Sequence, residues 1–148
     1  MPKHSETKRL AYTAEQMYAL VADVGSYPQF LPWCSAARVR SRQPQPEGEI
    51  IEADLVISFK VFRERFGSRV TLFPAALKIE TEYLDGPFRY MRSHWAFRPD
   101  GAGCEVDFFV DFEFKNAILQ GIIGVVFNEA MLRIVRAFEC RAAELYGP

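Results

Sequence analysis

The sequence predicts an α+β fold, a curved antiparallel sheet of about seven strands wrapped around a long C-terminal helix. Three observations predict it. Residues 35–115 carry strand and turn signals throughout. The segment "EVDFFVDFEFK" (105–115) alternates: Val106, Phe108, Val110, Phe112 and Phe114 point one way, and Asp107, Asp111 and Glu113 the other, with Phe109 the exception. From Phe127 onward, apolar residues recur at Met131, Ile134, Phe138, Ala142 and Leu145, the spacing of one helix face.

The elements follow in order. "HSETKRLAY" (4–12) reads as a first strand. Thr13 opens a helix, because Thr13 and Gln16 have the spacing of a capping box and Met17, Leu20, Val21 and Val24 follow at helical intervals. Gly25 ends it, and a short helical turn follows around Pro28–Trp33 with Pro28 near its first position. Strands are expected at 35–43, 49–59, 61–73, 76–84 and 89–97, divided by turns at "PQPEG", "DGPF" (85–88) and "RPDGAG" (98–103). Asn116 then caps a helix running to about Leu145. Its start, "AILQGIIGVVF" (117–127), is apolar nearly all round but shorter than the ~20 residues a membrane span needs.

The chain has 148 residues, which suits one domain, 1–148, with one core. Hydrophobic residues make up 49% and charged residues 25%, as in globular proteins. A net charge of -1 gives no general drive toward nucleic acid, and no DNA partner is expected. Cys34, Cys104 and Cys140 are too widely spaced for a disulfide framework or a zinc site, so no metal is expected and a reducing compartment is.

Catalytic constellations are sparse. Cys34 and His94 are conceivable as nucleophile and base, but nothing local supports the pairing, and a buried thiol with a structural histidine is preferred. Asp107, Asp111 and Glu113 share a face opposite the apolar one, which marks a solvated surface. Arg38, Arg40 and Arg42 alternate on one strand, and Arg63, Arg65 and Arg69 lie on another; a solvated face is favoured over a basic strip for acidic headgroups or RNA. No catalytic residue is assigned.

Aromatic residues reach 14%, more than closing a core requires. The loop "DVGSYPQFLPWC" (23–34) holds Tyr27, Phe30, Leu31 and Trp33 beside two prolines, which suits a short stiff lid over an apolar interior. Gly121 and Gly124 remove volume from the helix start, either to make room for a ligand or to allow close helix–sheet contact.

Six ordered patches carry a resemblance across nearly the whole chain: "LVADVGSYPQFLPWCSAARV" (20–39), "FKVFRERFGSRVTL" (59–72), "LDGPF" (84–88), "HWAF" (94–97), "DFEFKN" (111–116) and "VRAFECRAAELYG" (135–147). Together they resemble the coenzyme Q-binding protein family, within the START-like, polyketide-cyclase-like helix-grip superfamily. The resemblance implies a helix-grip fold and a cavity between sheet and helix that binds ubiquinone or a similar isoprenoid lipid. It implies a non-enzymatic carrier supporting respiratory electron transfer, with no catalytic cofactor. The ligand-binding residues expected are Tyr27, Phe30, Leu31 and Trp33 from the loop; Phe59, Phe66, Trp95, Phe97, Phe112 and Phe114 from the sheet; and Ile123, Phe127 and Met131 from the helix.

A sister branch shares "YPQFLP", "DGPF", "DFEF" and the terminal "RA…Y" pattern, and its bacterial members resemble ribosome association toxins that bind the large ribosomal subunit. Trp33 in "LPWC" and "FRERFGSRV" (62–70) favour the quinone branch, so quinone binding leads, ribosome association is the alternative, and a polyketide-cyclase-type enzyme ranks third. A start directly at the first strand suggests a bacterial or processed chain, located in the cytoplasm or peripherally at the inner membrane. Each buried isoprene unit would contribute roughly 3–4 kcal/mol at ~0.8 kcal/mol per carbon. Trp33, Tyr27, His94 or an inward-turned arginine would supply headgroup donors. Tyr27–Cys34 and the apolar helix start would form a movable rim touching a membrane surface transiently.

Overall fold

The structure, a computed structural model, describes residues 3–59 and 62–147, and of Phe59 and Phe62 the backbone alone. Among these, the strands are β1 (Lys3–Leu10), β2 (Cys34–Gln45), β3 (Gly48–Phe59), β4 (Phe62–Phe73), β5 (Lys78–Asp85), β6 (Phe88–Asp100) and β7 (Gly103–Phe114). The helices are α1 (Ala14–Ala22) and α2 (Ala117–Tyr146), with a 3-10 helix at Val24–Gln29. One sheet runs in the order β1-β7-β6-β5-β4-β3-β2, every neighbour antiparallel. The expected helix-grip architecture is present.

The alternation in β7 is realised. Val106, Phe108, Val110, Phe112 and Phe114 are all buried on the concave face. β2 continues through Pro44, past the expected end at residue 43. It is an edge strand, where a missing backbone N–H costs no ladder bond on the open side.

Two turns depend on glycine. Gly86 has φ +135°, and a Cβ there would lie 2.7 Å from the Phe66 Cβ. Gly101, at φ +61°, sits in a two-residue turn between the paired Asp100 and Gly103, so the expected six-residue turn is tighter and both strands are longer.

The capping box at Thr13 is complete: Gln16 N–H donates to Thr13 Oγ1 (3.1 Å) and Thr13 N–H to Gln16 Oε1 (2.9 Å). α1 stops at Ala22, before Gly25, and the 3-10 helix starts earlier than the expected turn, with Pro28 inside it. The fixed φ of proline suits this tighter helix, and bonds such as Ser26 N–H to the Asp23 carbonyl hold it. α1 and the 3-10 helix lead the chain from edge strand β1 to edge strand β2.

Asn116 caps α2, its side chain accepting from Ile118 and Leu119 N–H (2.9 and 3.0 Å). The helix is about 45 Å long at 1.5 Å per residue. Its buried stripe is Leu119, Phe127, Ala130, Met131, Val135, Phe138 and Ala142. The apolar stretch extends beyond 117–127: α2 is long and apolar enough to cross a membrane by length and composition alone, its most apolar 18 residues having a mean hydropathy of 1.6. Here its stripe packs into the concave sheet. Both expectations for Gly121 and Gly124 are overturned. A Cβ at either would meet nothing within 4 Å, so they neither enlarge the cavity nor permit close packing. They lie on the open side of α2, beside Ile118 and Val125, which are 71% and 87% exposed.

Candidate ligand cavity

A cavity of about 250 Å³ lies between the concave sheet, α2 and the loop after the 3-10 helix. Inward residues of β3 to β7 form its floor, Ile123, Ala130, Met131, Ile134 and Phe138 of α2 form its roof, and Tyr27, Leu31, Pro32, Trp33 and Cys34 close one side. Among the described residues, no charged side chain lines it. Trp95 anchors the interior, its ring 4.3 Å from Phe108 and 5.1 Å, edge-on, from Phe138. Half-buried Leu31, Pro32, Trp33, Leu55, Ile57, Met91 and Ile123 mark the mouth, and buried Val24, Ile79, Phe108 and Phe138 the deep end.

Of the expected ligand residues, Tyr27, Leu31, Trp33, Phe66, Trp95, Phe112, Ile123 and Met131 line this cavity. Four others are placed behind it. Phe30 turns outward over Phe138 (5.2 Å) and under the Arg141 guanidinium (5.4 Å). Phe97 packs against Tyr18 of α1 (6.1 Å), Phe114 stacks on Phe88 (4.6 Å), and Phe127 meets Phe112 (5.3 Å) and His4 (6.4 Å). These rings build the walls that support the lining. Phe59 lies outside the described side chains.

The polar groups at the cavity differ from those expected. Tyr27 Oη donates to the Val21 carbonyl (2.5 Å), and burial raises its pKa, so that hydroxyl is committed to the backbone. His94 stands on the convex face, stacked on Phe109 (5.3 Å). Among the described residues, no arginine reaches the cavity. Instead Ser68, Thr81 and Ser93 face inward from β4, β5 and β6. Sequence reasoning missed them, although the signal is present: each interrupts an apolar face, in Phe66-Ser68-Val70, Ile79-Thr81-Tyr83 and Met91-Ser93-Trp95.

Cys34 lines the cavity, its thiol donates to the Ala36 carbonyl (3.7 Å), and burial pushes the thiol up to about 11. It and His94 lie on opposite sheet faces, so they form no nucleophile–base pair. Trp33 has φ 64°, a left-handed conformation costly for a side chain with a Cβ. Its carbonyl accepts from Ser58 N–H (2.8 Å), which ties the loop to β3.

The convex face is a lattice of ion pairs. Asp54 binds both Arg40 and Arg65, and Arg65 also reaches Asp85 (2.9 Å). Arg42 meets Glu49 (3.4 Å), and Arg69 meets Glu52 (3.2 Å). Asp107, Asp111 and Glu113 pair with Arg98, Arg92 and Arg89. The Arg40 hydrogen bond holds the Asp54 carboxyl below the usual range, and Arg98 with Thr7 does the same for Asp107. Arg40, Arg42, Arg65 and Arg69 are matched by acids.

Comparison with known proteins fits this geometry. The chain is 40% identical over 148 residues to the ribosome association toxin RatA of Rickettsia prowazekii, covering 98% of this chain and 99% of the relative. It is 34% identical over 150 residues to the mitochondrial coenzyme Q-binding protein COQ10 homolog B of Xenopus laevis, covering 98% of this chain and 59% of the relative. Among solved structures, an 18 kDa protein of Caulobacter crescentus superposes with a TM-score of 0.83 at 33% identity, covering 100% of both chains. The family model for polyketide cyclase / dehydrase and lipid transport matches residues 10–139. The chain therefore belongs to the polyketide cyclase / dehydrase and lipid transport family, with relatives named both for ribosome association and for coenzyme Q binding.

Proposed function

We propose that this protein is a ribosome-associating regulator. The observation that carries the proposal is the 40% identity to a ribosome association toxin over 99% of that relative's length. The quinone branch follows at 34%, over 59% of its relative. This reverses the order suggested by Trp33 and "FRERFGSRV", two local features set against similarity along the full chain. Association with the large ribosomal subunit, and hence a cytoplasmic location, is the finer part of the proposal. Sedimentation of purified protein with separated ribosomal subunits tests it: co-migration with the large subunit, reversed by high salt, supports it. Migration at the top of the gradient with both subunits refutes it.

A second reading is favoured by the cavity. A lining without charge among the described residues, under a family model that includes lipid transport, supports binding of an apolar ligand. An apolar cavity of about 150 Å³ holds one benzene, so 250 Å³ suits one ring with a short tail. Ubiquinone or a similar isoprenoid would bury its ring and start of its tail, and the rest would leave through the mouth by Trp33 and Ile123. The two readings are compatible, since the cavity opens on the concave side. Native mass spectrometry of the purified protein tests the second: a retained mass that organic extraction removes supports it, and a bare chain from cells rich in quinone counts against it.

A further inference from the structure

The floor of the cavity carries a row of three hydroxyls. Thr81 of β5 and Ser93 of β6 are direct cross-strand partners. Ser68 of β4 sits two residues from Val70, the partner of Thr81, so it is the diagonal neighbour. Directly paired side chains on one face stand about 4.5–5.5 Å apart at Cβ, and diagonal ones roughly 7–8 Å. The row therefore crosses three adjacent strands in the middle of the sheet.

Packing does not explain the choice of these residues. Inward positions of central strands favour β-branched or aromatic apolar side chains, and serine is a weak choice there. Valine at each position would fill the same wall. Among the described residues, neither Thr81 nor Ser93 has a side-chain hydrogen-bond partner. Ser68 has only a long contact, 3.5 Å, to the Ala53 carbonyl. Thr81 and Ser93 are half-buried, and an apolar ligand that covers their hydroxyls must supply an acceptor, because a hydroxyl cut off from water without a partner is destabilising. All three face the same cavity, where a ligand can supply the missing acceptor.

We propose that Thr81 and Ser93, flanked by Ser68, form the polar pole of the cavity and donate hydrogen bonds to a carbonyl oxygen of an uncharged, otherwise apolar ligand. The proposal rests on the reading that the cavity holds a ligand. The lining disfavours charge: among the described residues, no arginine, lysine or histidine is present to meet a carboxylate or phosphate, and no carboxylate to meet an ammonium. The pole also fixes orientation. The carbonyl end lies on the floor, and the apolar remainder points toward Ile123, Met131 and Trp33 at roof and mouth.

The test uses two probes with one bicyclic skeleton, the ketone α-tetralone and the hydrocarbon tetralin. Their binding to the full chain is measured by calorimetry. Wild type is expected to bind the ketone more tightly. The near-isosteric double variant T81V/S93A should lose roughly tenfold for the ketone, the loss of one or two net hydrogen bonds, while its affinity for tetralin stays within about twofold. T81S, which keeps the donor, should retain the ketone preference and so separates donation from shape. If the double variant keeps that preference, or loses both probes equally, the pole is wrong and the cavity reading stands. If wild type binds neither probe, the ligand reading fails and takes the pole with it.

Discussion

The two faces of the sheet solve opposite problems. On the convex face, charge is plentiful and largely matched, with Arg40, Arg65, Arg69 and Arg98 each lying against one or two carboxylates on neighbouring strands. On the concave face no charged side chain among the described residues lines the cavity, and rings fill most but not all of the space. The difference assigns distinct work to each. Exposed pairs contribute little to stability, a median of about 0–1 kcal/mol, and chiefly neutralise a surface that the arginines alone would make a basic strip. Buried rings carry the fold, and the space they leave is the candidate site. Any ribosome contact made through this face would have to break existing pairs or use arginines outside them.

The comparison is broken most directly by removing one ring. Trp95→Ala should lower the unfolding free energy by about 3–5 kcal/mol, because Trp95 packs against Phe108 and Phe138 at the centre of the concave face. Urea denaturation measures it. A loss under about 1 kcal/mol would mean that the interior is not held by its rings.

Trp33 sharpens the contrast between fold and site. Trp33→Ala removes the ring at the mouth but keeps a Cβ at φ 64°, whereas Trp33→Gly also relieves the left-handed backbone. The glycine variant should therefore be more stable than the alanine one by about 1–2 kcal/mol, and both should retain apolar probes poorly. Thermal melts and probe affinity, measured on the same samples, separate the two effects. Equal stability of the variants would show that the loop relaxes to another conformation without the ring.

The convex face should respond weakly and to salt. Asp54→Asn unlinks Arg40 from Arg65, and the expected loss is about 1 kcal/mol or less, shrinking further in high salt. Because Arg40 and Arg65 lower the pKa of Asp54, its contribution is present above the ordinary carboxylate range and fades as pH falls through that range. Wild type and variant should therefore converge in acid, which a pH series of melts would check. A difference that persists there would point to packing.

How far the sequence revealed these faces depends on whether the pattern was local. Period-two alternation in β7 and the Thr13–Gln16 box are read within a few residues, and both appear as expected. The placement of Gly121 and Gly124 was not legible, because "AILQGIIGVVF" is apolar all round and carries no face of its own. Only the packing of Leu119 and Phe127 determines which side is open. Phe97 and Phe127 share the concave side with the cavity lining, yet they contact α1 and His4 because sheet curvature and neighbouring elements decide which inward ring meets empty space. Ser68, Thr81 and Ser93 were legible in principle, as polar residues at apolar-face positions. A single small hydroxyl in a strand has no local pattern to mark it as a donor, unlike a tryptophan, tyrosine or histidine.

The smallest expected effect at neutral pH concerns Cys34, and it distinguishes the faces by the sign of their pH response. Burial raises the thiol from an ordinary 9.0 to about 11. The folded state therefore keeps its proton where the unfolded chain has lost it. That contribution is fully present below about pH 9 and is lost as pH rises toward about 11, the reverse of the acid response of Asp54. Cys34→Ala should leave stability at neutral pH nearly unchanged and reduce the alkaline fall in stability, read from melts between those two values; the Tyr27 hydroxyl and the Cys104 thiol, whose pKa values burial also raises, supply the remainder. An alkaline slope that the substitution leaves unchanged would assign the whole response to those other groups.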